Sequence, residues 1–122
     1  MKTGGRAHSL KEAEQIARMG FPFAEISVIN SLKFCKEEIK ALKRIKDEYG
    51  IYFLAHGPEE GNAFEPEVLK SELLPELKSI IDCLPRLSIK LFTIHFWMDH
   101  RFIDKAVIKD KLLLIRELNS YA

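Results

Sequence analysis

Short β-rich segments alternate with longer amphipathic ones along the chain, and this alternation limits the fold more than any other feature. Apolar β-rich segments lie at 23–29, 51–55 and 91–94, and a weaker one, interrupted by glycines, lies at 2–7. Each is followed by apolar residues at helical spacing, so the element order is βαβαβαβα. Because successive right-handed βαβ units lay their strands side by side in one direction, the pattern predicts an α/β protein with four parallel strands.

The predicted helices carry start and stop residues of the expected kinds. Ser9 with Glu12 three positions later forms a capping-box pattern, and Gly20 predicts the end of the first helix. Pro75 and Pro85 lie inside the third helical pattern and predict a break or kink near each. The four helices are predicted to begin at about Ser9, Cys35, Pro66 and Asp104.

Composition restricts the class of protein. The 122 residues, 47% of them hydrophobic, suit a single domain over 1–122, and 19 basic against 18 acidic residues predict neither a nucleic-acid partner nor a membrane surface. The first residues do not form a signal-peptide pattern, and no apolar run approaches the ~20 residues of a membrane span. Cys35 and Cys83 fit neither a zinc pair nor a CxxC motif. We therefore expect two reduced, packed thiols in a cytoplasmic protein.

Two architectures accept this order of elements, a flavodoxin-like open sheet and half of an eight-stranded β/α barrel, which needs ~250 residues in full. No acidic strand ends of the flavodoxin-like kind are present, and no glycine-rich phosphate loop is complete. Instead, histidines follow the strands, at the edge where parallel α/β proteins bind ligands. These are His8, His56 and His95, after the first, third and fourth strands, with His100 in the loop that follows.

Four segments resemble one known family. They are Gly-Arg-Ala-His-Ser at 5–9, Gly-Phe-Pro-Phe-Ala-Glu-Ile-Ser at 20–27, Tyr-Gly-Ile-Tyr-Phe-Leu-Ala-His-Gly-Pro at 49–58 and Leu-Phe-Thr-Ile-His-Phe at 91–96. In these segments the chain resembles the xylose-isomerase-like TIM barrels, which include sugar and sugar-phosphate isomerases and epimerases and the endonuclease IV-type apurinic (AP) endonucleases. The resemblance covers essentially the whole chain. It implies the N-terminal half of a (β/α)8 barrel.

His56 and His95 are the predicted metal ligands. They end adjacent parallel strands, which lie ~4.8 Å apart, so both imidazoles can reach one divalent ion. The resemblance implies metal ligands at these positions in the nuclease relatives and a sugar pocket in many isomerases; a structural role is the third interpretation. Manganese, magnesium or zinc would need further ligands. The resemblance implies that these come from the second half of the barrel, with Asp99 and His100 as local candidates or as a solvated loop pair.

Glu25, His8 and Trp97 are the predicted substrate-binding residues. Glu25 is the charged residue of an otherwise apolar strand, so it lies either at the polar mouth of a pocket or on an exposed edge. At the mouth it would bind a sugar hydroxyl or orient a ligand histidine. His8 either polarises a substrate or caps the first helix. Trp97, with Phe96, forms either an apolar wall against a sugar or part of the core.

The resemblance implies a metal-dependent isomerase or epimerase acting on a sugar-like small molecule. Such a barrel takes its catalytic carboxylates from the half that this chain lacks, so we expect the chain alone to be inactive. An endonuclease IV-like zinc enzyme is one alternative, and a non-catalytic, degenerate half-barrel is another. A half-barrel leaves its edge strands unpaired, so we expect a homodimer or other homo-oligomer if the chain is complete.

Overall fold

The computed structural model describes residues 1–58, 66–95 and 105–122. Four parallel strands form one sheet in the order β1-β2-β3-β4. A flavodoxin-like sheet would run in the order 2-1-3-4-5, with the chain changing direction within the sheet. The sequential order excludes that alternative and is the order of a barrel wall. The strands are Gly5–Ala7 (β1), Phe23–Ser27 (β2), Tyr52–His56 (β3) and Phe92–Thr93 (β4).

The first helix, α1 (Leu10–Arg18), has the predicted cap with one difference. The Ser9 hydroxyl oxygen accepts a hydrogen bond from the Glu12 backbone N–H at 3.2 Å. The Glu12 carboxylate accepts the His8 backbone N–H at 2.7 Å, one residue before the position that a capping box uses. Gly20 has a φ of +79°, so it takes the left-handed conformation that ends the helix as predicted.

The second helical stretch begins four residues before the predicted start. Asn30 causes this, because its side-chain oxygen accepts the Lys33 backbone N–H at 2.8 Å and so caps a first turn that the apolar pattern does not mark. Gly50, with a φ of +68°, ends the stretch as predicted. The parts are α2 (Ser31–Lys33), a π-helical segment (Phe34–Glu38) and α3 (Ile39–Tyr49).

The breaks predicted at Pro75 and Pro85 occur as changes of helix type. Each proline lies in the first turn of a new segment, where its missing N–H removes no hydrogen bond of that segment. The segments are α4 (Pro66–Val68), a π-helical segment (Leu69–Leu73), α5 (Leu74–Cys83) and a 3₁₀ segment (Leu84–Leu87). The last helix is α6 (Lys105–Tyr121).

The prediction of two reduced thiols is wrong in this structure, because Cys35 and Cys83 form a disulfide with their Cα atoms 5.8 Å apart. The π-helical segment that carries Cys35 packs against α5, which ends at Cys83. The Arg86 guanidinium strengthens the same contact by donating to the Cys35 carbonyl oxygen at 2.8 Å. A spacing of 48 residues in sequence gave no sign of this proximity.

The core lies between the sheet and the helices. The strand residues that face the helices are almost fully buried, and they pack against α1, α3 and the end of α5. A second apolar cluster joins α5, α6 and the π-helical segment before α5, and Phe92 packs against both clusters. Among the helices in the described ranges, none combines the length and apolar character that crossing a bilayer requires.

Candidate functional site

The opposite face of the sheet carries the polar residues of the strands, and these align in rows across the strands. Arg6 of β1 lies level with Glu25 of β2. One row nearer the C-terminal ends of the strands, Ser27 of β2 lies level with His56 of β3, which in turn lies level with Thr93 of β4. Alternate strand residues share a face, so this polar face is opposite to the buried one. We call it the inner face.

A cavity of about 700 Å³ opens at the C-terminal end of the inner face. It brings together three of the predicted histidines, although they lie up to 87 positions apart in sequence. Parallel strands that end at one edge of a sheet produce this convergence. The lining residues are Arg6, His8, Ser27, Val28, Ile29, His56, Gly57, Pro58 and His95.

His56 and His95 are adjacent, as expected for residues at the ends of neighbouring strands. Their ring centroids lie 4.6 Å apart and their planes are tilted by 49°. The two rings differ in environment, because His56 is buried and His95 is exposed. Two imidazoles at this separation can direct one nitrogen each towards a common ion. Metal ligation itself stays a prediction.

Glu25 lies half-buried behind His56. Its Oε1 atom is 3.4 Å from Nδ1 of His56. Nδ1 is buried and, among the residues that the structure describes, has no hydrogen bond of normal geometry. A carboxylate at this distance favours the proton on Nδ1 and leaves the Nε2 lone pair for a ligand. Glu25 is half-buried behind His56 and so does not lie on an exposed edge, but it does not line the cavity, and its place at the mouth of a substrate pocket stays a prediction.

The His8 ring is held in place by a hydrogen bond with a residue of β2. Its Nδ1 atom lies 3.2 Å from the Ser27 hydroxyl oxygen, and the ring is exposed at the cavity. Ser27 and Arg6, which line the same cavity, were not predicted as site residues from the sequence. The alternation of strand residues contains the signal for both, since Ser27 is two positions after Glu25 and Arg6 is two positions before His8.

The described residues do not form a complete metal site. The two neighbouring imidazoles fit a divalent ion, but within the described ranges no group of three or more His, Cys, Asp or Glu side chains could hold one. Phe96, Trp97, Asp99 and His100 lie outside the described residues, so their proposed roles stay predictions.

Comparison with solved structures finds a similar fold in sugar epimerases. The D-allulose 3-epimerase from Methylomonas sp. superposes with a TM-score of 0.77 at 15% identity, over 99% of this chain and 48% of that one. A D-psicose 3-epimerase from Clostridium cellulolyticum H10, solved with D-tagatose, gives 0.73 at 17% identity, over 98% and 48%. The chain has the fold of half a TIM barrel, as found in these epimerases.

The half-barrel spans about half the length of these epimerases. The Methylomonas sp. enzyme has also been solved in complex with D-allulose, with a TM-score of 0.76 at 14% identity over 98% of this chain and 47% of that one. No family model matches the sequence, and no curated protein shows significant similarity to it. At these identities the likeness establishes the fold, and the site of the half-barrel has to be argued from its own residues.

Proposed function

We propose that this half-barrel is part of a metal-dependent isomerase or epimerase that acts on a sugar or sugar phosphate. The observation that carries the proposal is the pair of imidazoles 4.6 Å apart at the ligand-binding edge, with a carboxylate behind one of them. Three of the neighbours in fold were solved with D-allulose, D-fructose or D-tagatose, which supports a sugar-like ligand.

In this proposal His56 and His95 each give one ring nitrogen to a manganese, magnesium or zinc ion. The bound ion would polarise the carbonyl and neighbouring hydroxyl groups of the sugar. Glu25 fixes the tautomer and orientation of His56 through Nδ1, which leaves Nε2 for the ion. His8, held by Ser27, binds the sugar beside this pair, and Trp97 is also proposed to bind it. The remaining carboxylate ligands and the groups that move the proton come from the second half of the barrel.

A second half-barrel is part of the proposal. The edge of the sheet at β4 borders an apolar groove of about 470 Å³, lined partly by Leu91, Phe92 and Leu118. Leu91 is 55% exposed and Tyr52, on the inner face, is 44% exposed. In a closed barrel such residues are covered by the strands that complete the wall. When the chain is the whole protein, we propose that a second copy of it covers them, which corresponds to the non-catalytic, degenerate half-barrel.

A metal titration tests the proposal. Isothermal titration calorimetry of purified, metal-free protein with Zn²⁺ and Mn²⁺ should show one tight metal site per barrel. The affinity of this site should fall at least about tenfold in H56A and in H95A. The variant H8A is the matched control and should keep the metal affinity of the parent. Equal affinities in all four proteins would contradict the proposal. Two or three tightly held zinc ions would favour the endonuclease alternative, and no binding at all would favour the degenerate half-barrel.

The cytoplasmic location stays a prediction. The Cys35–Cys83 disulfide counts against it, because disulfides persist in oxidising compartments and are rare in the cytosol. Labelling of freshly lysed cells with a thiol-reactive reagent would decide whether the protein is cytosolic. A cytosolic protein should be labelled at both cysteines, because both would be reduced there.

A further inference from the structure

The charges around the cavity are unbalanced. Among its lining residues in the described part of the chain, Arg6 carries a permanent positive charge, three residues are histidines, and none is a carboxylate. A neutral sugar does not require such a lining, whereas a negatively charged ligand is attracted by it. We propose that the site takes a sugar with an anionic group at one end, a phosphate or a carboxylate, and that Arg6 binds this group. The inference rests on the proposed function, because it names the substrate class of the same site.

Arg6 lies beside a carboxylate in the sheet but does not form an ion pair with it. Glu25 is its register partner on the adjacent strand, where opposite charges ordinarily pair. The Glu25 carboxylate instead lies beside Nδ1 of His56. Within the described ranges no carboxylate comes within 4 Å of the Arg6 guanidinium. Its planar set of N–H donors is therefore available to a ligand, and a guanidinium binds phosphate or carboxylate oxygens in pairs.

The position of Arg6 in the sheet indicates which end of the sugar is charged. Arg6 lies on β1, and the imidazole pair lies at the ends of β3 and β4. Strand spacing puts β1 about 10 Å from β3, two strands away. An extended pentose or hexose with a charged group on its last carbon spans a distance of this size. Its carbonyl end would then lie at His56 and His95, and its charged end at Arg6.

The residues between these two ends are polar but uncharged or weakly basic. Ser27 and His8 are joined through the Ser27 hydroxyl and Nδ1 of His8 at 3.2 Å, and both line the cavity. They can bind the hydroxyl groups along the sugar without repelling an anion. Glu25, the carboxylate of this region, is half-buried and is not among the lining residues.

Binding of matched charged and neutral sugars to the metal-free protein tests the inference. The probes are D-fructose 6-phosphate against D-fructose, and D-glucuronate against D-glucose, titrated calorimetrically in the presence of EDTA. Charge-assisted hydrogen bonds of this kind correspond to roughly a ten- to hundredfold gain in affinity. We expect that gain for at least one charged probe, loss of it in R6Q and partial recovery in R6K. The variant R116Q, which removes an exposed arginine of α6 outside the cavity lining, should behave as the parent.

The outcomes separate this inference from the proposed function. Equal affinity for charged and neutral sugars, a charge preference that survives in R6Q, or no binding of any probe would each overturn it. A preference for the phosphate probe alone, or for the carboxylate probe alone, would support it and identify the anionic group. Because EDTA removes divalent ions, a failure of the metal proposal leaves this result unchanged.

Discussion

The two faces of the sheet differ in composition. The helix-facing side is apolar and stabilises the fold, whereas the inner face carries the residues of the candidate site. The helix-facing side carries residues such as Ala24, Phe53 and Ala55, which are at most 2% exposed. The inner face carries Glu25 and His56, each one position after a buried alanine of the same strand, and Arg6, one position before the buried Ala7 of β1. Side chains of successive strand residues point to opposite faces, so one short strand serves both purposes. In a half-barrel, substitutions on the two faces should therefore have separable effects.

The largest effect is expected for F53A on the helix-facing side. Removing a buried phenylalanine ring leaves a cavity and should lower the free energy of unfolding by about 3–5 kcal/mol. Its neighbour Tyr52 is 44% exposed on the inner face and stacks on Phe23, so Y52A should cost much less. Urea unfolding of both variants makes the comparison. Similar losses of unfolding free energy in the two variants would mean that the inner face is as tightly packed as the helix-facing side.

The next largest effect concerns the helix layer. The disulfide closes a loop of 48 residues, and its removal in the double variant C35S/C83S should lower stability by about 2–4 kcal/mol, chiefly by releasing the unfolded chain. Thermal unfolding with and without a reducing agent gives the measurement. The parent should lose stability on reduction and the double variant should not respond. Metal affinity at the inner face should not change, and a change would show that the two faces are coupled.

On the inner face, E25Q should weaken divalent metal binding by about 10- to 100-fold, as is typical when the partner of a ligand histidine is lost. Stability should change little, because Glu25 is half-buried and lies in no apolar cluster. E37Q, at an exposed position in the helix layer, is the matched control. Calorimetric titration with Zn²⁺ measures the metal affinity of both variants, and E37Q should bind zinc as the parent does. If E25Q and the parent bind zinc equally, Glu25 does not orient His56.

Two neighbouring glycines give the smallest and most direct comparison of the faces. A Cβ atom at Gly5 would lie 2.8 Å from the Ile16 side chain of α1, and one at Gly4 would overlap the Phe23 ring on the inner face. Because the overlap with the rigid Phe23 ring is the deeper of the two, G4A should destabilise the protein by about 1 kcal/mol or more and G5A by less. Chemical denaturation measures both. The opposite order would mean that the Phe23 ring moves aside more easily than the Ile16 side chain.

Much of the fold could be predicted from the sequence, because the alternation of elements and the caps at Ser9, Gly20 and Gly50 are local signals. The start of the second helix was missed because it depends on Asn30, which lies outside the apolar pattern. The contact between Cys35 and Cys83 was missed because it arises from the packing of two helical segments, which no local pattern encodes.

The candidate site was also predictable only in part, because some of its residues are marked by local signals and others depend on packing. The histidines after the strands could be found, since parallel strands bring their C-terminal ends to one edge. Placing Glu25 beside His56 needed the strand register, and so did placing Arg6 level with Glu25. Register is fixed by packing on the helix-facing side, which the sequence expresses only as an alternation of residue types.

The central claim is that His56 and His95, from adjacent strands, bind one divalent ion together. Histidine ring ¹H–¹⁵N NMR spectra recorded during a Zn²⁺ titration test it most directly. We expect the ring nitrogens of both histidines to shift with one midpoint at one equivalent, with the His56 proton on Nδ1, and the His95 response to be lost in H56A. Separate midpoints, or a His95 response that survives in H56A, would contradict the claim.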